Sequence, residues 1–203
     1  LDKMMEESFH LSLTIAFNLT CEERKEQLKK SYDGTQKYGI HLHMGDGSVE
    51  KSGTSAGIAV TILLYSLLNN KKINTRDCVN ISDAVICSSS PHYFKGENKL
   101  ILEKISKVAK YQKMGGIIYG GDCYSYASLA SGFVDIVIDP QMKIYDYASL
   151  IPIIKMSGGS ITNWQGEELI LNESLINGAS IDIIATSNNK LSENIIKFIK
   201  NET

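Results

Sequence analysis

Three runs decide the fold: Ile117-Ile118-Tyr119-Gly120-Gly121-Asp122, Gly132-Phe133-Val134-Asp135-Ile136-Val137-Ile138-Asp139-Pro140, and Gly158-Gly159-Ser160-Ile161-Thr162-Asn163. The apolar, β-branched cores of these runs (117–119, 134–138, 160–163) are bounded by glycine or proline, which predicts strands. Between them, residues 122–131 read as a helix stopped by Gly132. Residues 145–157 read as a second helix, stopped by Gly158-Gly159. Alternating strands and helices of this length predict an α/β protein, a mixed sheet with helices packed on it.

The same punctuation extends outward. Ala84-Val85-Ile86-Cys87 reads as a short buried strand leading into Ser88-Ser89-Ser90-Pro91. Ile101, Ile105, Val108 and Ala109 mark a helix, residues 181–185 a strand, and Leu191, Ile195, Phe198 and Ile199 a closing helix. Ile136, Ile138, Ile161 and Ile183 belong in the sheet. Upstream, Met5, Phe9, Leu13, Ala16 and Phe17 recur at helical spacing over 3–19, and the charged stretch 22–30 continues as a solvated helix before the Tyr32-Asp33-Gly34 turn. Ile40, Leu42 and Met44 alternate with His41 and His43, the pattern of a half-buried strand. A polar loop (45–53) follows, and Thr54 or Ser55 caps an apolar helix that ends near Asn69-Asn70. Those helices should pack against the 40–44 strand. Residues 71–77 turn polar and separate the two halves.

Composition bounds the function classes. A chain of 203 residues, 43% hydrophobic and 22% charged, can bury a core as one domain or two small ones. A net charge of −2 gives no electrostatic case for nucleic acid or an anionic membrane. The longest apolar run, residues 56–68, is too short to span a bilayer. Cys21, Cys78, Cys87 and Cys123 lack C-x-x-C spacing and read as reduced thiols of a cytoplasmic protein. The N-x-[ST] triplets at Asn18, Asn80, Asn172 and Asn201 read as chance matches. The opening Leu1 fits a fragment or a processed product.

Gly53-Thr54-Ser55-Ala56-Gly57 places a hydroxyl among small residues at a helix start, where unpaired N–H groups suit a developing oxyanion. On residues alone this is equally a helix N-cap. Residues 40–60, from the Ile-His-Leu-His strand through this turn, resemble the nucleophile segment of Lon-type peptidases, and the resemblance covers residues 1–73. It implies Ser55 as nucleophile of a Ser–Lys pair. The family's G-G-x-K-E-K segment, which carries the lysine, has no counterpart in residues 74–203. Lys99 stands at a suitable distance downstream as a surrogate base. His41 and His43 share a strand face, as a zinc pair would, and the Lon-like strand accounts for both.

Gly120-Gly121-Asp122-Cys123-Tyr124-Ser125-Tyr126, Tyr145-Asp146-Tyr147-Ala148 and Gly158-Gly159-Ser160-Ile161-Thr162-Asn163-Trp164-Gln165-Gly166 are distinctive together. With them, residues 78–203 resemble the C-terminal half of the inositol monophosphatase family, closest to its histidinol-phosphatase branch. The resemblance implies a Mg²⁺-dependent phosphomonoesterase acting on a small phosphorylated metabolite. Asp146 would be a metal ligand, Asp139 the acid that meets substrate hydroxyl or amine groups, and Gly120, Gly121 and Asp122 the turn that holds phosphate or a polar substrate end. Without the motif, Asp146 reads as a helix-capping carboxylate and Asp139-Pro140 as a turn. The family's first metal ligands, a glutamate pair and D-P-I-D-G-T, are missing from these 203 residues; Asp33-Gly34-Thr35 and Asp46-Gly47-Ser48 match only fragments. Mg²⁺ binding should therefore be weak.

Three readings follow: a phosphatase-derived protein, inactive alone; a Lon-type serine peptidase fragment; and a non-catalytic fusion. A homo-oligomer or a second chain completing the site belongs with the first.

Overall fold

The computed structural model describes residues 3–31, 57–109, 116–170 and 172–200. The chain divides into two compact units, Leu1–Lys72 and Ile73–Thr203. Ser55, Asp33, Asp46 and the 40–44 strand with His41 and His43 lie outside the described residues.

In the first unit, α1 (Lys3–Leu19) and α2 (Glu22–Ser31) follow the expected helical patterns, and α3 (Gly57–Asn69) carries the apolar run. Ala16 of α1 packs with Val60 and Leu64 of α3, flanked by Phe9, Tyr65 and Leu68. Polar ties close one end: Arg24 Nε donates to Leu68 O (2.7 Å) and Asn69 Nδ2 to Thr20 Oγ1 (3.0 Å). No described helix is long and apolar enough to cross a membrane.

The second unit is an α/β layer structure. Its strands are β1 (Ile86–Ser88), β2 (Ile117–Tyr119), β3 (Ile136–Met142), β4 (Ser160–Asn163) and β5 (Ile181–Thr186), in the order β2-β1-β3-β5-β4. The first three are parallel, with Ile86 beside Ile117 and Ile136. β5 runs antiparallel between β3 and β4, with Ala185 beside Val137 and Ile161. Because side chains alternate across a strand, the sheet feeds two cores. On one face Ile86, Ile136, Ile138 and Ile184 meet Leu102 and Ile105 of α4 (Glu97–Ala109) and Leu191, Ile195 and Ile199 of α9 (Asn189–Lys200). On the other, Cys87, Val137, Ile161, Ile183 and Ala185 meet Tyr126 and Leu129 of α5 (Cys123–Ala130), Tyr147 of α6 (Ile144–Tyr147), and Leu150 and Ile154 of α7 (Leu150–Met156). A short helix, α8 (Glu173–Ile176), precedes β5 and is capped by the Asn172 side chain, which accepts from Leu175 N.

Three expectations need correction. Residues 145–157 are two helices, α6 and α7, with a turn at 148–149. Pro152 has no N–H to offer the Ala148 carbonyl, and its ring crowds that oxygen, which disfavours a helix continuous from 145; Pro152 is instead accommodated in the first turn of α7. The strand expected at 84–87 begins instead at Ile86, and the one expected at 134–138 spans Ile136–Met142. Here the buried Asp135 carboxylate accepts Val85 N (2.7 Å) and pairs with Arg76, whose Nε reaches Oδ1 at 3.0 Å. A side chain thus takes the place of a ladder bond at the strand start. The ladder between β3 and β5 shifts between Asp139 and Met142, where Pro140 offers no donor and Gln141 has φ +58°. Gly159 is required by space: a Cβ there would lie 2.8 Å from both Ile154 Cγ2 and Thr186 O.

Candidate functional site

Two turns emerge from the carboxyl ends of neighbouring parallel strands, the position where open α/β sheets bind ligands. After β1, the chain continues through Ser89 into the Pro91–Tyr93 turn, where Ser90 accepts from His92 N. After β2, it enters Gly120-Gly121-Asp122, three successive residues with φ of +91°, +103° and +38°. Left-handed backbone is natural for glycine and strained for aspartate. Gly120 N donates to Ser88 O (3.1 Å) and Ser89 O (3.0 Å), joining the two turns. All three residues of the glycine turn are exposed, and α5 starts immediately after them.

Asp139 comes from β3, beside β1, and is 1% exposed. Its Oδ1 accepts Ser89 N (2.6 Å) and Ser88 Oγ (3.2 Å), and its Oδ2 accepts the Tyr126 hydroxyl (2.9 Å). Burial raises its pKa above the usual carboxylate range, opposed by the hydrogen bonds from Ser89, Tyr126 and Ser88. Tyr126 is fully buried, and its phenol is pushed well above the usual value by burial first, then by Asp139, with smaller contributions from Asp146 and Asp122. Of the three acids singled out from sequence, Asp139 is the one that hydrogen-bonds this phenol.

Asp146 is exposed on α6. Its Oδ2 accepts Lys143 N (2.9 Å), so the capping role is present in the fold. Lys99 lies exposed in the first turn of α4. Sequence reasoning missed Tyr126, Ser88 and Ser89. Tyr126 stands four residues after Asp122, one helical turn into α5, and that spacing was the available signal.

The described donor set is not by itself a complete Mg²⁺ centre. Mg²⁺ demands octahedral oxygen coordination and exchanges its water reluctantly. Asp139 is enclosed by its donors, and Asp146 has one oxygen engaged in a cap. Among the described residues no group of three or more His, Cys, Asp or Glu side chains could hold a metal ion.

Residues 1–82 match the Lon protease (S16) C-terminal proteolytic domain, and residues 64–203 match the inositol monophosphatase family. The chain is 39% identical over 122 residues to the chloroplastic bifunctional phosphatase IMPL2 of Arabidopsis thaliana, covering 60% of this chain and 32% of that protein. It is 32% identical over 87 residues to a histidinol-phosphatase of Chlorobaculum parvum, covering 42% of this chain and 30% of the relative. The inositol monophosphatase of Zymomonas mobilis superposes with a TM-score of 0.55 at 30% identity, over 63% of this chain and 46% of the other. The chain thus spans less than half the length of each of these three proteins. With the family match running from residue 64 through the β1 and β2 turns, Asp139 and Asp146 to residue 203, the chain belongs to the inositol monophosphatase family.

Proposed function

We propose that the Ile73–Thr203 unit is the substrate-side half of a Mg²⁺-dependent phosphomonoesterase site of the histidinol-phosphate or inositol-phosphate type. The observation that carries this is the exposed Gly120-Gly121-Asp122 turn at the carboxyl end of the parallel strand β2, within a family match over residues 64–203 that also includes the exposed Asp146. In this reading Gly120 and Gly121 offer backbone N–H groups to a small phosphorylated metabolite, and Asp122 meets its polar end. Asp146 is the one metal ligand this unit contributes. A single carboxylate cannot displace the hydration shell of Mg²⁺. The 203-residue chain therefore turns phosphomonoesters over very slowly or not at all, until a partner chain supplies the missing acids. Reduced thiols fit a cytoplasmic setting.

Phosphate release from histidinol phosphate and from inositol monophosphate in millimolar Mg²⁺, with calorimetric Mg²⁺ titration of wild type and Asp146→Asn, tests this. We expect no turnover above buffer, and a weak Mg²⁺ isotherm that disappears in Asp146→Asn. Identical titrations for the two proteins would reduce Asp146 to its capping role. The match of residues 1–82 to the Lon proteolytic domain favours a second reading, a serine peptidase fragment or a non-catalytic fusion partner. Casein cleavage abolished by Ser55→Ala would replace the phosphatase reading with the peptidase one.

A further inference from the structure

We infer that Asp182 is a positioning residue: its carboxylate holds a β-bulge in β3 that delivers α6, and with it Asp146, to the sheet face where Asp139 stands. The strand register defines the bulge. Asp139 pairs with Ile183 and Met142 with Ile181, so two residues, Pro140 and Gln141, stand opposite one, Asp182. Pro140 has no N–H to give. Gln141 N donates to Asp182 Oδ1 at 2.8 Å. Asp182 Oδ2 accepts Asn98 Nδ2 at 3.1 Å, so the half-buried carboxylate is braced by the first turn of α4 as well. Gln141 is a non-glycine residue with φ +58°, a backbone state that persists only when its surroundings over-determine it. Asp182 supplies that constraint, since a carboxylate accepts a backbone N–H more strongly than a neutral group does.

The bulge decides which face the chain serves next. Side chains of a strand alternate between faces. Ile136 and Ile138 lie in the core that α4 and α9 cover, and Val137 in the core that α5, α6 and α7 cover. Unbroken alternation would send Gln141 to Val137's face and Met142 to the opposite one. The extra residue reverses this. Met142 packs on Val137's core, followed there by Ile144 and Tyr147 of α6. Tyr126, which donates to Asp139, belongs to that same core. Lys143, the residue that leaves the bulge, then fixes Asp146: Lys143 N donates to Asp146 Oδ2 and Asp146 N to Lys143 O, both at 2.9 Å. Asp182 therefore acts on Asp146 through the backbone of residues 141–143. The metal-ligand role of Asp146 rests on the proposed phosphatase reading; the coupling of Asp182 to the bulge does not.

The test uses the whole 203-residue chain. It follows amide hydrogen exchange, NOEs from the Met142 methyl, and the shift of the Asp146 carboxyl carbon on adding Mg²⁺. In Asp182→Ala, exchange at Gln141 should quicken about tenfold, and Met142 should lose its NOEs to methyls of Val137's core. Amides of α5 and α9 should keep wild-type protection. The Mg²⁺-induced shift at Asp146 should weaken in Asp182→Ala and return in Asp182→Asn, whose carbonyl still accepts Gln141 N. Wild-type Gln141 exchange or retained Met142 NOEs in Asp182→Ala overturn the inference. So does an Asp146 shift of wild-type size in that variant, or one that Asp182→Asn fails to restore. Should Asp182→Ala lose protection throughout β5, the double variant Asp182→Ala/Gln141→Gly decides, because glycine adopts this φ without strain. Recovery of β5 protection and of the Met142 NOEs supports the role of Asp182, and no recovery refutes it. If wild type shows no Mg²⁺ response at Asp146, the metal-ligand reading falls, and the exchange and NOE data still decide whether Asp182 sets the bulge.

Discussion

The two units bury apolar surface in different ways. In Ile73–Thr203 a single sheet separates two cores, so Ile183 on one face and Ile184 on the other are each fully enclosed. In Leu1–Lys72 the described helices enclose only Ala16, Val60 and Leu64, while Leu11, Leu13, Ile15, Leu19 and Leu67 remain exposed. A central sheet gives every other residue of a strand a different wall to pack on. A helix pair has one shared seam, and whatever lies off it faces water. The first unit's helices thus form as the sequence dictates, yet five of their large apolar side chains stay exposed among the described residues.

The contrast can be broken most directly at Asp135. This buried acid ties Arg76, Val85 N and the start of β3 together, so Asp135→Ala strands a backbone N–H and separates β1 from its neighbour. We expect a loss of about 3 kcal/mol, read from urea unfolding followed by Trp164, the chain's one tryptophan, which packs in this unit. A cost below about 0.5 kcal/mol would mean that the two-sided sheet does not depend on this tie. In the first unit, Leu64→Ala should cost about 1 kcal/mol, at or below the low end for buried leucines, because a small seam collapses onto the gap. Protease cleavage within α3 should accelerate accordingly. A loss as large as that at Asp135 would show that the helix pair is as well enclosed as the sheet.

The smallest effect concerns the thiols. Burial pushes Cys78 and Cys87 up to about 11, against the usual 9, while Cys21 is exposed. At pH 8 an alkylating reagent should modify Cys21 well before either buried thiol. The sign for stability follows: the unfolded chain ionises these thiols near 9 and the folded one near 11. Their contribution is therefore complete below pH 9 and lost as pH rises through 11. Equal labelling of Cys21 and Cys87 at pH 8 would place β1 nearer solvent than its packing implies.

Local signals made much of the second unit legible. Glycines after β2, α5 and α7 mark where each element stops, and the apolar runs between them have strand composition. The Pro152 break was equally present in the residues; helical periodicity on both sides obscured it. Asp139 is a different case. An aspartate before proline reads as an exposed turn, and its enclosure comes from donors 13, 50 and 51 residues away. No window of local sequence contains that information. Asp146 had its donor three residues away at Lys143, and there the capping alternative was visible from the start. Ser55, the residue that the Lon resemblance singles out, lies outside the described residues.

The position of β5 has a consequence for biosynthesis. Among the described residues it is the last strand in sequence, yet it is inserted between β3 and β4, and there β4 pairs with no other strand. Among the described residues, a chain still short of residue 181 therefore carries β3 with one edge open and β4 with only the Thr162–Glu168 bridge. Such edges recruit strands from other chains. Until Ile181–Thr186 pairs, the edges of β3 and β4 are therefore where association with another chain would begin.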